Sequence, residues 1–396
     1  KESNHDFEND PIETYIDGDW VKAKGTTLGS DDGIGVATVM AVMEDDTLKH
    51  GPLEALLTVD EETCMYGVNN LQADTLQGRI LLNFDDETEG QVIIGSAGGV
   101  NVTAELEYKE VPTFREDVAI KVELSGLKGG HSGLEINEGR ANANKLLARF
   151  VREAIANFGA RLAEWHGGNM RNAIPRDAEA VLTAPKEDIE ELKKAVPLWK
   201  DIFKQEYGDI EKDLSFKAED TALPATEIPE EIQDNIVGAV MACHDGVLRY
   251  IPSIPEIVET SSNLAIINIG GGKAEARMLV RSASDSMRRY CADTVGSAFA
   301  MAGMKITHDG DYPAWEPNPE SPIVKTMVKV YKELFGEDEK VRVIHAGLEC
   351  GVIGAVYPDM DMVSFGPTLR SPHTPNERCN IPSVAKYYKF VTALLE

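Results

Sequence analysis

Apolar runs near the start of the chain end repeatedly in clusters of acidic residues. These clusters are the acids at 60–62, after the run LLTV at 56–59; the acids at 85–87, after LLNF at 81–84; and the pair Asp31-Asp32 in LGSDDGIG. Strand-like and helix-like runs alternate over residues 16–99, which predicts an α/β layer with a mostly parallel sheet. Because ligand sites of such sheets lie at the carboxyl ends of the strands, the acids are expected to lie there as well.

The pattern changes near residue 100. The segments VNVTAELEYKEV and VAIKVELSGLKGG alternate apolar and polar residues, as half-buried strands do. Residues 139–165 and 228–250 are each typical of a long amphipathic helix. Proline and turn residues at 310–321 predict a linker, after which the tail is expected to return to the first domain. The inserted part is therefore expected to be a second domain, of α+β type.

The composition excludes several classes of partner. The 396 residues include 39 Lys and Arg against 67 Asp and Glu, a formal charge of −28, which argues against binding to nucleic acid or to an anionic membrane surface. No apolar stretch approaches the roughly 18 residues that span a bilayer. The five cysteines are scattered and form no CxxC pair, so neither a disulfide framework nor a thiolate zinc site is predicted. A reducing cytoplasm is the expected location.

The acidic clusters and one histidine near the end of the chain are candidate metal ligands. That histidine is His373, in the loop sequence SFGPTLRSPHTPNER. Adjacent carboxylates repel one another unless a cation lies among them. Carboxylate and imidazole ligands suit zinc or manganese, and a bridging carboxylate allows two ions about 3.5–4 Å apart. One acidic pair after a strand is more often a turn or a helix cap, but the four segments together favour a metal.

Eight motifs resemble those of one enzyme family. They are LGSDDGIG, TVDEET, LLNFDDETEG, GLKGGHSG, GRANANKL, RNAIPR, HAGLECG and SFGPT…SPHTPNER. In this order, and through nearly the whole chain, they resemble bacterial aminoacyl-histidine dipeptidases, which are carnosinase-like di-zinc peptidases of the clan that includes aminoacylase and carboxypeptidase G. The resemblance implies a zinc-peptidase catalytic domain of residues 1–99 and 311–396, interrupted by an inserted α+β lid and dimerisation domain of residues 100–310.

The resemblance also implies an activity, a cofactor and a partner. The activity is hydrolysis of Xaa-His dipeptides, including carnosine-like ones, by a metal-activated water. Two zinc ions per subunit are implied, with manganese or cobalt as alternatives. The implied assembly is a homodimer.

Matched positions carry the implied roles at the metal. The implied metal ligands are Asp31, which bridges both ions, and Glu62, Asp85 and His373. Glu61 matches the general base that takes a proton from water and later passes it to the leaving amine. For Asp60 a cap or turn role is favoured. Because adjacent residues of an extended segment point in opposite directions, the DEE turn must be irregular if both glutamates reach the metal.

Three residues of the second domain and one of the tail match the substrate side. His131 in GGHSG is implied to hold the scissile carbonyl or its oxyanion, often across a dimer interface, because a fixed donor stabilises developing negative charge. Without the motif, it would be a loop histidine. Asn172 and Arg281 are implied to bind substrate, since an arginine fork suits a free carboxylate; structural hydrogen bonds or a surface ion pair are the alternative. Gly347 would allow close backbone approach, while Glu349 beside it is interpreted as structural.

The chain departs from the family pattern at three points. The family has a His-x-Asp motif upstream of LGSDDGIG, which supplies a histidine to the other zinc, and this chain begins after it. His5 is no substitute, because HDFENDP resembles the family segment that follows that motif. A missing N-terminal segment is favoured over a protein that lacks a full second zinc site. Asp32 stands where the family usually has asparagine, and Cys64 where a small glycine is common.

Two other functions stay open. One is a related deacylase or broader aminopeptidase of the same clan. The other is a non-catalytic peptide- or metal-binding protein, which the missing His-x-Asp suggests. Neither Cys64 nor Cys350 has a partnered base motif, so no cysteine nucleophile is predicted.

Overall fold

The computed structural model describes residues 5–252 and 254–396, without the side chains of residues 63 and 64. The helices are α1 Ser30–Glu44, α2 Glu61–Cys64, α3 Tyr66–Asn69, α4 Ala143–Phe158, α5 Ile189–Tyr207, α6 Glu230–Ala242, α7 Asp285–Met301, α8 Pro322–Phe335, α9 Glu349–Val356 and α10 Ile381–Leu395.

The strands are β1 Thr14–Asp17, β2 Trp20–Ala23, β3 Ile80–Asn83, β4 Gln91–Ser96, β5 Gly98–Glu107, β6 Val111–Pro112, β7 Val118–Ser125, β8 Gly130–His131, β9 Arg161–Gly167, β10 Ala173–Ile174, β11 Ala178–Ala184, β12 Ser215–Thr221, β13 Thr226–Glu227, β14 Gly246–Ile251, β15 Ile254–Gly270, β16 Lys273–Ser282, β17 Lys305–Tyr312, β18 Lys340–Ile344, β19 Asp361–Ser364, β20 Leu369–Arg370 and β21 Arg378–Asn380.

The chain forms two compact units. Unit 1 comprises Lys1–Ser96 and Trp315–Glu396, and unit 2 comprises Ala97–Ala314. None of the described helices is long and apolar enough to cross a membrane.

Unit 1 is built on a four-stranded sheet in the order β18-β4-β19-β3. The pairs β18/β4 and β19/β3 are parallel, and β19/β4 is antiparallel. Apolar side chains such as Ile93, Met362 and Val68 pack with Trp315 into its core. Asn83 and Ser364 close the parallel β3/β19 pair at its carboxyl end, and the acidic loop that follows β3 therefore starts at that edge. The predicted mostly parallel α/β layer is confirmed.

Unit 2 is dominated by an antiparallel sheet in the order β12-β7-β11-β9-β15-β16-β5-β17, with β14 paired to β15. One face is covered by helices that bury an apolar stripe, as α4 does with Leu147, Phe150, Val151 and Ala154. The Asn142 side chain caps α4 by accepting from the N–H groups of Asn144 and Lys145. The α+β architecture expected for this part of the chain is confirmed.

Several predicted element bounds are wrong. The helix predicted over 139–165 ends at Phe158, because Gly159 takes a left-handed conformation (φ 59°) and the alternately buried segment after it forms β9. The helix predicted over 228–250 likewise ends at Ala242, and β14 follows. The run at 56–59 is not a strand, since it pairs with no neighbouring strand in the described residues.

The linker predicted at 310–321 is also partly wrong. Strand β17 extends to Tyr312. Trp315 then exchanges two backbone hydrogen bonds with Ser96, at 3.0 and 3.1 Å. These two bonds fix the position at which the chain returns to unit 1. The proline and turn residues alone indicate a connection without such bonds.

Candidate metal centre

The loop after β3 fixes Asp85 by means of a side-chain amide. The Asn83 side-chain oxygen accepts from the Asp85 N–H at 3.1 Å and from the Ser364 hydroxyl at 2.7 Å. Gln91 donates to both carboxylate oxygens of Asp86 at 3.1 Å. At Gly366 a Cβ atom would lie 1.9 Å from the Asp86 carbonyl oxygen, so only glycine allows the strand β19 segment to approach this loop so closely.

The segment 58–67 is irregular, as the crowding of three acids requires. Asp60 is left-handed (φ 59°), α2 makes one turn, and Met65 is left-handed again (φ 54°). The Gly67 N–H closes the turn by donating to the Val59 carbonyl at 2.9 Å. This geometry confirms that the segment departs from an extended conformation. Asp60 occupies the position before α2, in agreement with the predicted turn role.

Asp31 lies at the start of α1, after Gly29 in a left-handed conformation (φ 72°). The peptide bond between Asp31 and Asp32 is cis. The buried carboxylate of Glu377 accepts hydrogen bonds from the backbone N–H groups of residues 28–31. Burial disfavours the charged form of Glu377, yet the hydrogen bonds from Ser30 and the backbone keep its pKa below the ordinary value.

His373 brings two of the acids together. Its Nε2 lies 3.0 Å from Asp31 Oδ2, and 2.9 and 2.8 Å from the two oxygens of Glu62. One ligand atom from each of the three residues lies within 4.8 Å of the others. Burial works against a protonated ring, but the charges of Glu62 and Asp31 raise the pKa of His373. The structure thus brings together three of the four predicted ligands in one cluster open to solvent.

Asp85, Glu61 and Asp32 surround this cluster with further carboxyl groups. Burial, together with the charge of Asp31 and then that of Glu61, raises the pKa of Asp85 far above its ordinary value, and Asp85 and Asp31 share a hydrogen bond. Burial and the charge of Glu62 raise the pKa of Glu61 to about 7. Burial and the charge of Asp31 raise the pKa of Asp32 to about 7. The fourth predicted ligand therefore adjoins the other three.

The donor set fits a divalent cation. Carboxylate oxygens and one imidazole nitrogen are the ligands that zinc and manganese take in proteins. The raised pKa values of Asp85 and Glu61 show that their negative charges are poorly compensated by the protein itself. A bound cation would offset this repulsion and favour the ionised carboxylates. The residues present therefore fit the metal that the sequence motifs imply.

The predicted substrate residues of unit 2 lie near one another within that unit. Strands β8 and β10 pair, with His131 opposite Ala173, and the Ser132 N–H donates to the Asn172 carbonyl at 2.8 Å. Burial and the nearby charge of Arg281 together lower the pKa of His131 to about 4. The Arg281 guanidinium donates to the Tyr312 hydroxyl at 2.9 Å, while its buried Nε has no partner in the described residues.

The hydrogen bonds of His131 define its tautomer. Its Nδ1 accepts from the N–H groups of Gly133 and Leu134, at 3.1 and 3.0 Å. A neutral ring whose Nδ1 accepts must carry its proton on Nε2. His131 therefore presents one N–H donor from a turn that is fixed on its other side.

Gly347 is half-buried and lies in the loop between β18 and α9. Glu349, two residues later, is buried, and its charge raises the pKa values of both Asp32 and Glu61. Glu349, interpreted from the sequence as structural, is therefore part of the acidic surroundings of the candidate site.

Sequence reasoning also missed the residues that fix the site. Glu377 occurs in the quoted motif SPHTPNER, four residues after His373, which was the available signal. Asn263 donates to the carbonyls of Arg171 and Ala173, at 3.1 and 2.8 Å, and so fixes the backbone on both sides of Asn172. No local pattern marks Asn263, because it lies in an ordinary strand sequence.

Comparison with known proteins places the chain in a family. The model of peptidase family M20/M25/M40 matches residues 2–396. The cytosol non-specific dipeptidase of Escherichia coli (strain K12) is 41% identical over 394 residues, which is 99% of this chain and 81% of that protein.

Solved structures agree. The crystal structure of the aminoacylhistidine dipeptidase from Vibrio alginolyticus has a TM-score of 0.92 at 41% identity, covering 100% of this chain and 81% of that one. The aminopeptidase PepT from Bacillus cereus ATCC 10987 has a TM-score of 0.51 at 14% identity, over 97% of this chain and 75% of that one, and so shares the fold alone. The match of the family model across the chain and the 41% identity show that this protein belongs to peptidase family M20/M25/M40.

Proposed function

We propose that this protein is a metal-dependent dipeptidase that hydrolyses Xaa-His dipeptides, including carnosine-like ones. One observation carries the proposal: the ligand atoms of Asp31, Glu62 and His373 lie within 4.8 Å of one another, with Glu61 beside them. The 41% identity to dipeptidases of two bacteria supports the substrate class.

Asp31, Glu62, Asp85 and His373 would hold the metal, with Asp31 as the bridge between two zinc ions. When bound, such ions polarise the scissile carbonyl and lower the pKa of the attacking water. Manganese or cobalt would suit the same ligands. The other steps belong to residues of the chain itself.

Glu61 is proposed as the general base and acid. A carboxylate oxygen of Glu61 takes a proton from the attacking water, and the same carboxyl group then gives that proton to the nitrogen of the leaving amine. Burial and the charge of Glu62 raise the pKa of Glu61 to about 7 in the metal-free protein. A bound cation would lower this pKa, so that Glu61 would be ionised and able to accept the proton from the water.

His131 is proposed to donate from Nε2 to the carbonyl oxygen as negative charge develops there. Its Nδ1 is engaged by two backbone N–H groups, so the ring does not need to reorient during the reaction. Arg281 and Asn172 are proposed to bind the free carboxylate of the dipeptide. The planar guanidinium of Arg281, which donates to the Tyr312 hydroxyl, suits the recognition of such a carboxylate. Gly347 is proposed to lie against the substrate.

The test is release of histidine from Xaa-His dipeptides by the purified full-length protein. We expect activity to disappear with a chelator and to return with zinc. Unchanged turnover in excess chelator would refute the proposal. A parallel panel of other dipeptides, tripeptides and N-acyl amino acids separates a dipeptidase from the related deacylases and broader aminopeptidases, and bound but uncleaved dipeptide would indicate a peptide-binding protein.

We further propose a cytoplasmic homodimer. The name of the Escherichia coli relative and the scattered cysteines support the location. Light scattering during size-exclusion chromatography tests the assembly, since a dimer of this 43.3 kDa chain has about twice the mass of a monomer.

A further inference from the structure

We infer that Glu377 is a positioning residue that fixes the backbone of Asp31 for metal binding; this inference rests on the proposed metal-dependent function. The structure links Glu377 and His373, through one short turn, to the same aspartate. The motif resemblance implies that His373 is a metal ligand but gives no role to Glu377 in the same turn.

The Glu377 carboxylate accepts five hydrogen bonds from the segment that carries Asp31. Oε2 accepts from the N–H groups of Leu28 and Gly29, at 2.7 and 2.9 Å. Oε1 accepts from the N–H and the hydroxyl of Ser30, both at 2.7 Å, and from the N–H of Asp31 at 3.3 Å. Glu377 is only 3% exposed. Its charge is thus stabilised by the very backbone that it fixes.

The backbone of this segment departs from regular helical geometry. Gly29 is left-handed, and Asp31 and Asp32 have non-helical conformations inside the first turn of α1. N–H groups at the start of a helix lack intrahelical acceptors, and a negative charge there is favourable. The carboxylate of Glu377 supplies the N–H groups of residues 28–31 with an acceptor and a negative charge from a distant part of the sequence.

The turn between His373 and Glu377 is internally bonded. The Glu377 N–H donates to the Thr374 carbonyl at 3.1 Å, and the Thr374 hydroxyl donates to the Ser371 carbonyl at 2.8 Å. His373, near the start of this turn, lies 3.0 Å from the Asp31 carboxylate. The turn therefore contacts Asp31 twice, at its side chain through His373 and at its backbone through Glu377.

It follows that losing the Glu377 charge should release the Asp31 backbone and weaken metal binding without removing a ligand. Residues that orient metal ligands typically contribute about 10–100-fold to affinity. Glu377→Gln retains the size of the side chain, but its amide NH₂ would face N–H donors. We expect its zinc affinity to fall about 10–100-fold.

A milder variant and a matched control sharpen the test. Ser30→Ala removes one of the five donors and leaves the backbone contacts, so its zinc affinity should fall about three- to tenfold. Asp361→Asn alters the same kind of contact in the same unit, because Asp361 accepts from the Ile323 N–H at 3.0 Å and from the Ser321 hydroxyl at the start of α8. Asp361 begins β19 opposite Ile80, whereas Asn83 is paired with Ser364 at the other end of β19. The zinc affinity of the Asp361→Asn variant should therefore equal that of the wild type.

The experiment is competition for zinc between the metal-free full-length protein and a chromophoric chelator, with thermal unfolding of the metal-free proteins alongside. The positioning role also predicts that saturating zinc restores most of the kcat of Glu377→Gln, while KM changes little. Equal zinc affinity in Glu377→Gln and the wild type would overturn the inference, as would an equal loss in Asp361→Asn.

If Glu377→Gln does not fold, Ser30→Ala decides, and unchanged affinity in that variant overturns the inference. A wild-type protein that binds no zinc would instead refute the proposed function itself. Failure of the two proposals is therefore distinguishable.

Discussion

His131 offers a substitution that removes one donor and keeps the surrounding turn. An asparagine side-chain oxygen can take the place of Nδ1 and still accept from Gly133 and Leu134, whose N–H groups lie 3.1 and 3.0 Å from that atom. His131→Asn therefore deletes only the Nε2–H group. His131→Gln does the reverse, since its amide nitrogen reaches towards the Nε2 position while the acceptor for the turn is lost.

The expected magnitudes follow from these contacts. Removing one donor to a developing oxyanion costs about 2.7–4 kcal/mol, or about 10²–10³ in kcat. We expect this loss for His131→Asn, with little change in the free energy of unfolding. His131→Gln loses two hydrogen bonds in a turn whose Leu134 side is exposed to water. Each lost bond should lower the free energy of unfolding by about 0.5–1.5 kcal/mol. His131→Gln should nevertheless retain more of the wild-type kcat than His131→Asn does.

The assay is steady-state hydrolysis of an Xaa-His dipeptide, with metal content and thermal unfolding measured on the same samples. His166→Asn is the control, because His166 is an exposed residue of β9 in the same unit. Burial and Arg281 lower the pKa of His131 to about 4, so the ring is neutral from pH 6 to 9 and should contribute no acid limb to the wild-type profile. The reasoning fails if His131→Asn keeps more than about a third of the wild-type kcat.

Three further predictions concern unit 1. Glu61→Gln should lower kcat by about 10²–10⁴ with near-normal metal content by elemental analysis; retention of most of the rate would rule out its role as the base. Asp31→Ala should lose metal as well as activity, and a full metal complement in that variant would contradict the bridging role. Burial raises the pKa of Glu339 from 4.5 to about 8. The folded state therefore holds this proton more tightly than the unfolded state, and wild-type stability falls between pH 4.5 and 8. Glu339→Gln should raise the free energy of unfolding at pH 8 by about 2–4 kcal/mol and change it little at pH 4.5, which urea unfolding at both pH values would check.

Local patterns predicted the architecture of each unit but not where elements end. Apolar runs and alternation indicated the mostly parallel layer and the antiparallel sheet, because periodicity reports which faces are buried. The boundary between α4 and β9 depends on the left-handed Gly159, and a glycine inside an amphipathic pattern does not reveal its dihedral angles. The run at 56–59 has strand composition, yet strand formation requires a neighbouring strand that composition does not report.

The acidic loops were recognisable from sequence because several clusters of adjacent carboxylates follow apolar runs, and such carboxylates repel one another unless a cation lies among them. The residues that fix these loops by hydrogen bonds were not recognisable from the sequence. Asn83, Asn263 and Glu377 act through hydrogen bonds to backbone groups distant in sequence. Such contacts depend on the tertiary arrangement and leave no periodic signal. The roles of the ligands and of the substrate residues stay predictions that the substitutions above would test.

The position of His373 also bears on how the protein is made. His373 contacts Glu62, which lies 311 residues earlier, and the whole of unit 2 is encoded between them. During synthesis from the N-terminus, Asp31 and Glu62, the two proposed acidic ligands, leave the ribosome long before His373 does. The nascent chain consequently exposes an incomplete, strongly acidic cluster throughout translation of unit 2. The complete three-residue cluster, which is the proposed metal site, can form only after His373 has left the ribosome, so any metal bound by all three residues is taken up after unit 2 has been translated.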